Sequence, residues 1–153
     1  MLLRFLHFLS LMLWLGGAVA AMITASSVRH DSLELRARVY RILARIHALV
    51  IAPGAVVATL SGFLILASMY TAGVSDPLDS PRVVVMQAAG IIAALIVVAV
   101  ALPTAHRRAA IAQLEESPEQ TAVLAKLRVR QAVSSTTAGL LFVVALVAVE
   151  FLG

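Results

Sequence analysis

The sequence predicts an all-α fold, a transmembrane four-helix bundle whose second, third and fourth helices extend into the cytoplasm. Three observations predict it. Four apolar stretches, at about 2–27, 48–70, 83–103 and 132–152, fill most of the 153 residues. None carries an ionisable residue near its middle, and Arg4, His7 and Glu150 lie close to the ends. Hydrophobic residues make up 61% and charged residues 13% of the chain, about half the charged share of an ordinary soluble domain. A helix needs about 20 apolar residues to cross the hydrocarbon core, and only helices or closed barrels satisfy every backbone polar group there. A single integral membrane domain, 1–153, is expected.

The first span has Arg4 ahead of an apolar run and Ala18-Val19-Ala20 further on, features it shares with a secretory leader; it is read here as a retained span. Its small and polar residues His7, Ser10, Trp14, Gly17, Ala18, Ala21 and Ala25 fall on one broad face at about 100° per residue. After it come Arg29, Arg36, Arg38, Arg41 and Arg45. Asp31 and Glu34 have the spacing of a capping box, and Leu35, Val39, Ile42, Leu43 and Ile46 form an apolar stripe opposite the arginines. A helix starting near Ser32 therefore runs directly into the second span.

On that second helix His47, Gly54, Ala58, Ser61 and Gly62 share a face. Small residues four apart let helix backbones approach closely in lipid, so this face is expected to meet that of the first helix. Pro53 leaves the carbonyl of Leu49 without its usual donor and should kink the helix. The third helix starts at Ser80-Pro81, is kinked by Pro103 and continues toward Glu116. Ser117-Pro118-Glu119-Gln120 supplies a serine cap, proline at the first helical position and glutamine at the third. The fourth helix should run from Pro118 to about Phe151. The two halves show no internal repeat of histidine, proline or glycine positions.

Charge sets the orientation. The connection between the last two spans carries Arg107, Arg108, Lys126, Arg128 and Arg130, leaving Arg4 and Arg82 for the other side. Both basic connections are therefore expected in the cytoplasm and both termini outside, in a multi-pass protein of the cell inner, or cytoplasmic, membrane. The net charge of +4 is read as contact with anionic lipid on the cytoplasmic side, with no nucleic acid as partner. Cysteine is absent, which excludes thiolate catalysis and cysteine-bound clusters. Phosphate-binding glycine loops, paired zinc histidines and nucleophile elbows are missing as well, and spans without buried acids or lysines are poor material for a coupled pump.

What remains is the histidines. His7 lies near the outer end of the first helix and His47 just inside the inner end of the second, so most of the membrane thickness separates them and one iron or metal ion cannot join them. Two sites follow, each with two readings. His47, with His106 at a depth it can share, is a cofactor ligand on the inner side or a packing residue in a glycine-lined seam. His7, level with Met69, Met86, Gln87 and Glu150, is a ligand or proton-handling group or an interfacial histidine bonded to a carbonyl. His106 also reads as a boundary residue, and His30 as a solvated one. Trp14 is core packing or the wall of a cofactor pocket; Glu150 reaches the outer interface or pairs with His7 or Arg4.

Leu6-His7, then Trp14-Leu15-Gly16-Gly17, a basic connection, and His47 with Pro53-Gly54 and Ser61-Gly62 resemble the small bacterial membrane proteins grouped around the copper-resistance CopD domain and the membrane-type protoporphyrinogen oxidase HemJ. The resemblance covers roughly the first 70 residues and implies a helical bundle whose histidines serve haem or copper. The chain departs from the oxidase pattern in the third span, where Gln87 stands near the helix start and no lysine occurs. It also lacks a methionine-rich outer segment, so haem b is preferred to copper as the cofactor. Two classes of function are carried forward. One is a membrane protein that binds haem or a metal through His7, His47, His106 and Trp14, with His7 and His47 in separate sites, its histidine ligands oriented by hydrogen bonds behind them. The other is a non-catalytic accessory subunit that packs against other membrane subunits, or on a second copy of itself, in a larger complex.

Overall fold

The computed structural model describes residues 1–73, 77–113 and 117–151, with the side chains of Arg29, Pro77 and 149–151 outside the described set. The expected contacts of Glu150 lie outside the described residues, whereas the third helix ends at Ile111, short of the expected run toward Glu116. Six α-helices follow one another: α1 Leu2–Ser27, α2 Leu33–Ile46, α3 Ala52–Thr71, α4 Pro81–Ile96, α5 Leu102–Ile111 and α6 Pro118–Phe151. A widened π turn, His47–Ile51, joins α2 to α3, and another, Val97–Ala101, joins α4 to α5. The result is four long rods, each long and apolar enough to cross a membrane. No strand occurs among the described residues.

The helix starts follow from local chemistry. Ser32 caps α2, its hydroxyl accepting from the Leu35 amide at 3.4 Å. The capping box expected from Asp31 is not formed: Glu34 instead pairs with Arg38 one turn on, at 2.7 Å. Ser117 caps α6 through the Gln120 amide at 3.1 Å, and the Gln120 side chain reaches back to the Ile111 carbonyl at 2.7 Å, tying α6 to α5.

The two π turns end two residues before Pro53 and Pro103. Proline has no N–H and its ring crowds the carbonyl four residues back. Here the backbone responds by lengthening the bond before each proline: the Ala52 amide donates to His47 and the Leu102 amide to Val97, five residues apart in both cases. Such turns insert one extra residue into a helix. The Thr104 hydroxyl donates to the Val100 carbonyl at 2.6 Å beside the second of them.

Rod packing is built on small side chains. α1 lies along α3, α4 and α5 along α6, α2 along α5, and α3 along α4, whereas α1 and α6 barely meet. The core is dominated by alanine, with Ala55, Ala58 and Ala93 almost fully enclosed. The expected seam between the first two rods is present. A Cβ added to Gly54 would stand 3.1 Å from the Ser10 carbonyl oxygen and 3.1 Å from the Trp14 nitrogen. Large apolar residues such as Phe5, Leu49, Leu60 and Leu140 point outward, an arrangement suited to lipid rather than water. On α2 the buried face is Tyr40, Leu43 and Ala44, while Leu35 and Ile42 of the expected stripe are exposed. The alanine-rich face of α5 selects that rotation.

Candidate functional site

At the end of the rods that carries the basic connections, a cavity of about 420 Å³ opens between α1, α2, α5 and α6. Its wall on α1 is mostly apolar, from Ala18, Ala21, Met22 and Ala25 with Ser26 at one end; the other helices contribute Tyr40, His47, Arg108, Gln131 and Ser135. Because α1 and α6 scarcely touch, the opening lies between them, where Met22 and Val129 of the lining are exposed.

His47 is the first residue of a π turn and is buried. Its Nδ1 lies 2.8 Å from the Leu43 carbonyl, and its Nε2 lies 3.0 Å from the amide nitrogen of Gln131. A carbonyl can only accept, so Nδ1 carries the proton and donates it; Nε2 then accepts from the Gln131 amide. This tautomer is the one the bonding network assigns. The Gln131 carbonyl oxygen, turned the other way, is buried without a partner.

Beside them Arg108 is 6% exposed. Its guanidinium carbon stands 4.4 Å from the centre of the Tyr40 ring, a cation–π contact between α5 and α2. Its Nε is buried and unpartnered, and no hydrogen bond or ion pair to Arg108 occurs among the described residues. Arg128, exposed, stands at the cavity mouth.

The other sequence-derived candidates lie elsewhere. His7 is half-buried near the opposite end, its Nδ1 2.9 Å from the Ala58 carbonyl and 3.0 Å from the Ser61 hydroxyl. Ala58 follows His47 by eleven positions, so at about 1.5 Å per residue the two histidines are roughly 16 Å apart along the rod. Gln87 of α4 reaches the Gly62 carbonyl at 3.4 Å, and Gly62 in turn faces the His7 ring, so three rods meet there. Trp14 is buried against Gly54 in the seam and does not line the cavity; His106 is exposed, one position off the buried face formed by Thr104, Ala105, Arg108 and Ala109. Of the four candidates, His47 alone lines this cavity.

Sequence reasoning missed Tyr40, Arg108 and Gln131 as site residues. Arg108 was absorbed into the charge count for orientation. Its spacing held the signal: it lies four residues after Thr104 and three after Ala105, on the small-residue face of α5. Gln131 similarly continues a buried stripe of Leu127, Ser134 and Ala138 on α6. Among the described residues there is no group of three or more histidine, cysteine, aspartate or glutamate side chains able to hold a metal ion. Comparison of the chain with known protein families, curated proteins and solved structures returns no match.

Proposed function

We propose that this chain is a multi-pass protein of the inner membrane, folded as a four-helix bundle with both termini outside and its basic ends in the cytoplasm, that binds haem b through His47. The observation that carries the reading is the His47 imidazole, held in one tautomer by the Leu43 carbonyl with Nε2 turned to a neutral amide beside a cavity. A proton fixed on one ring nitrogen is what orients and strengthens the other as a ligand. The donor set fits haem better than a bare metal ion. His47 would hold the group through its imidazole, and Arg108 and Arg128 would complement the carboxylates that haem carries. Nε2 is engaged by the Gln131 amide here, so holding the group would require that side chain to move. Haem bound there would supply one-electron redox chemistry; the chain's part is to orient the ligand, to offer positive charge and to exclude water with the alanine wall of α1.

The test is the absorption spectrum of protein purified in mild detergent. A Soret band is expected in the wild type and in His7→Ala and is lost in His47→Ala. Loss of the same single haem in both variants would contradict the separation of the two histidines. Orientation is checked by fusing to the C-terminus a reporter active only in the cytoplasm, which should stay silent.

A second reading, an accessory subunit of a larger membrane complex, is supported by an apolar groove of about 700 Å³ lined by Ile96, Val100, Val129 and Val133, with Lys126 and Arg130 at its edge. That surface suits a helix of another subunit or of a second copy. Absence of a Soret band from wild type, with co-purification of a membrane partner, would select it.

A further inference from the structure

Arg108 poses a problem that stands whether or not haem binds. A guanidinium keeps its proton in proteins, and a buried charge is tolerated when it is paired and hydrogen-bonded. The Tyr40 ring covers one face of this one at 4.4 Å. A ring face cannot accept the in-plane N–H groups. Those point into the plane of the guanidinium, where no carboxylate, carbonyl or hydroxyl meets them among the described residues.

We propose that the cavity is a receptor for the oxyanion headgroup of an amphiphile, with Arg108 as its counter-charge. Three features define the ligand. The charge is negative, because Arg108 is buried and Arg128 stands at the mouth. A donor on the ligand, O–H or N–H, is an addition rather than a requirement, since the unpartnered Gln131 carbonyl oxygen is itself buried behind the lining. Part of it is apolar, because Ala18, Ala21, Met22 and Ala25 form one wall. Entry is sideways between α1 and α6, which would face lipid at the level where headgroups lie. The acidic group is a carboxylate or phosphate, both of which a guanidinium fork matches. A haem propionate is one source of that group and a single-chain lipid another.

The full chain, purified in dodecyl maltoside, is titrated with laurate, dodecyl phosphate, dodecyltrimethylammonium or inorganic phosphate at low mole fraction, and in a separate arm with haemin. Melting is followed by far-ultraviolet circular dichroism. Laurate or dodecyl phosphate should raise the melting midpoint saturably, and the cationic amphiphile and inorganic phosphate should not. Arg108→Met removes a buried charge, so it should fold and melt no lower than wild type, yet need about tenfold more anionic amphiphile, or beyond, for the same shift. Ser135→Leu keeps both arginines but fills the cavity and should weaken the response too, which keeps the test decisive if Arg108→Met fails to fold. An undiminished response in Ser135→Leu, or in a folded Arg108→Met, would overturn the proposal. So would equal shifts from the cationic amphiphile or inorganic phosphate. If haemin alone produces the shift, the free-lipid source is excluded and the oxyanion is the propionate; a response to laurate without a Soret band supports this site while the haem reading fails.

Discussion

Gly54 lies against the backbone of Trp14: a Cβ at position 54 would come within 3.1 Å of the Trp14 nitrogen and 3.2 Å of its Cβ. Backbone cannot move aside as a flexible side chain can, so α1 and α3 must separate to admit even a methyl group. Gly54→Leu should cost about 1–3 kcal/mol or more, with Gly54→Ala intermediate. Gly16 is the control, since an added Cβ there meets nothing and alanine should be neutral or slightly stabilising. Melting in detergent measures the series, and equal midpoints for the Gly16 and Gly54 variants would refute close packing at the seam.

His7 fastens the far end of the same pair of rods. Its Nδ1 approaches both the Ala58 carbonyl and the Ser61 hydroxyl. Interhelical hydrogen bonds in membranes are worth about 0.6 kcal/mol on average. A cycle of His7→Ala, Ser61→Ala and the double variant should give a coupling of that order. No coupling would mean that the Ala58 carbonyl carries the bond alone.

The pairing of His47 with Gln131 fixes which ring nitrogen holds the proton. Nitrogen-15 spectra of labelled histidine should show His47 neutral with the proton on Nδ1. Gln131→Leu removes the donor to Nε2 and also the orphaned amide oxygen, so its net cost should be small, about 1 kcal/mol or less. A proton found on Nε2 in the wild type would reverse the Gln131 amide and the assignment built on it.

Tyr40 holds the Arg108 guanidinium from below. Removing the ring should cost about 1–2 kcal/mol, the range for a desolvated cation–π contact plus lost burial. The cost of Tyr40→Leu should shrink when Arg108→Met is already present, since the charge it covers is gone. An unchanged cost in that background shows that Tyr40 acts as bulk alone.

The four rods and their starts were legible because lipid imposes long apolar runs and because proline and serine mark helix starts by local chemistry. The seam was legible from small residues four apart. The phase of α2 was legible in part: Leu43 of its apolar stripe is buried and Val39 and Ile46 pack against the core, whereas Leu35 and Ile42 are exposed and Tyr40 and Ala44 complete the buried face. The prolines announced a disturbance but not its form. One signature was present: Ala89, Ala93, Val97, Ala101, Ala105 and Ala109 are all buried, a strict spacing of four that an ideal helix of about 3.6 residues per turn would carry around its surface. The site itself was half legible. A lone histidine can be seen in sequence, but a guanidinium lacking an acid is a fact about three-dimensional neighbours.

Each π turn also acts as an offset between two halves of a rod. One additional residue turns everything beyond it by about 100° relative to an uninterrupted α-helix. Tyr40 and Leu43 lie on one side of the first offset and the Gly54 seam on the other; Arg108 and the Ala89–Ala93 face are divided likewise by the second. Deleting one residue such as Leu49 or Val98 should let the rod close into regular helix with the cavity residues still in line with the seam, whereas straightening the turn with every residue kept would swing them by about 100°. Substitutions at those exposed positions should be absorbed by lipid, and the widened turns are the places where the rods can lose a residue without losing the alignment of their two halves.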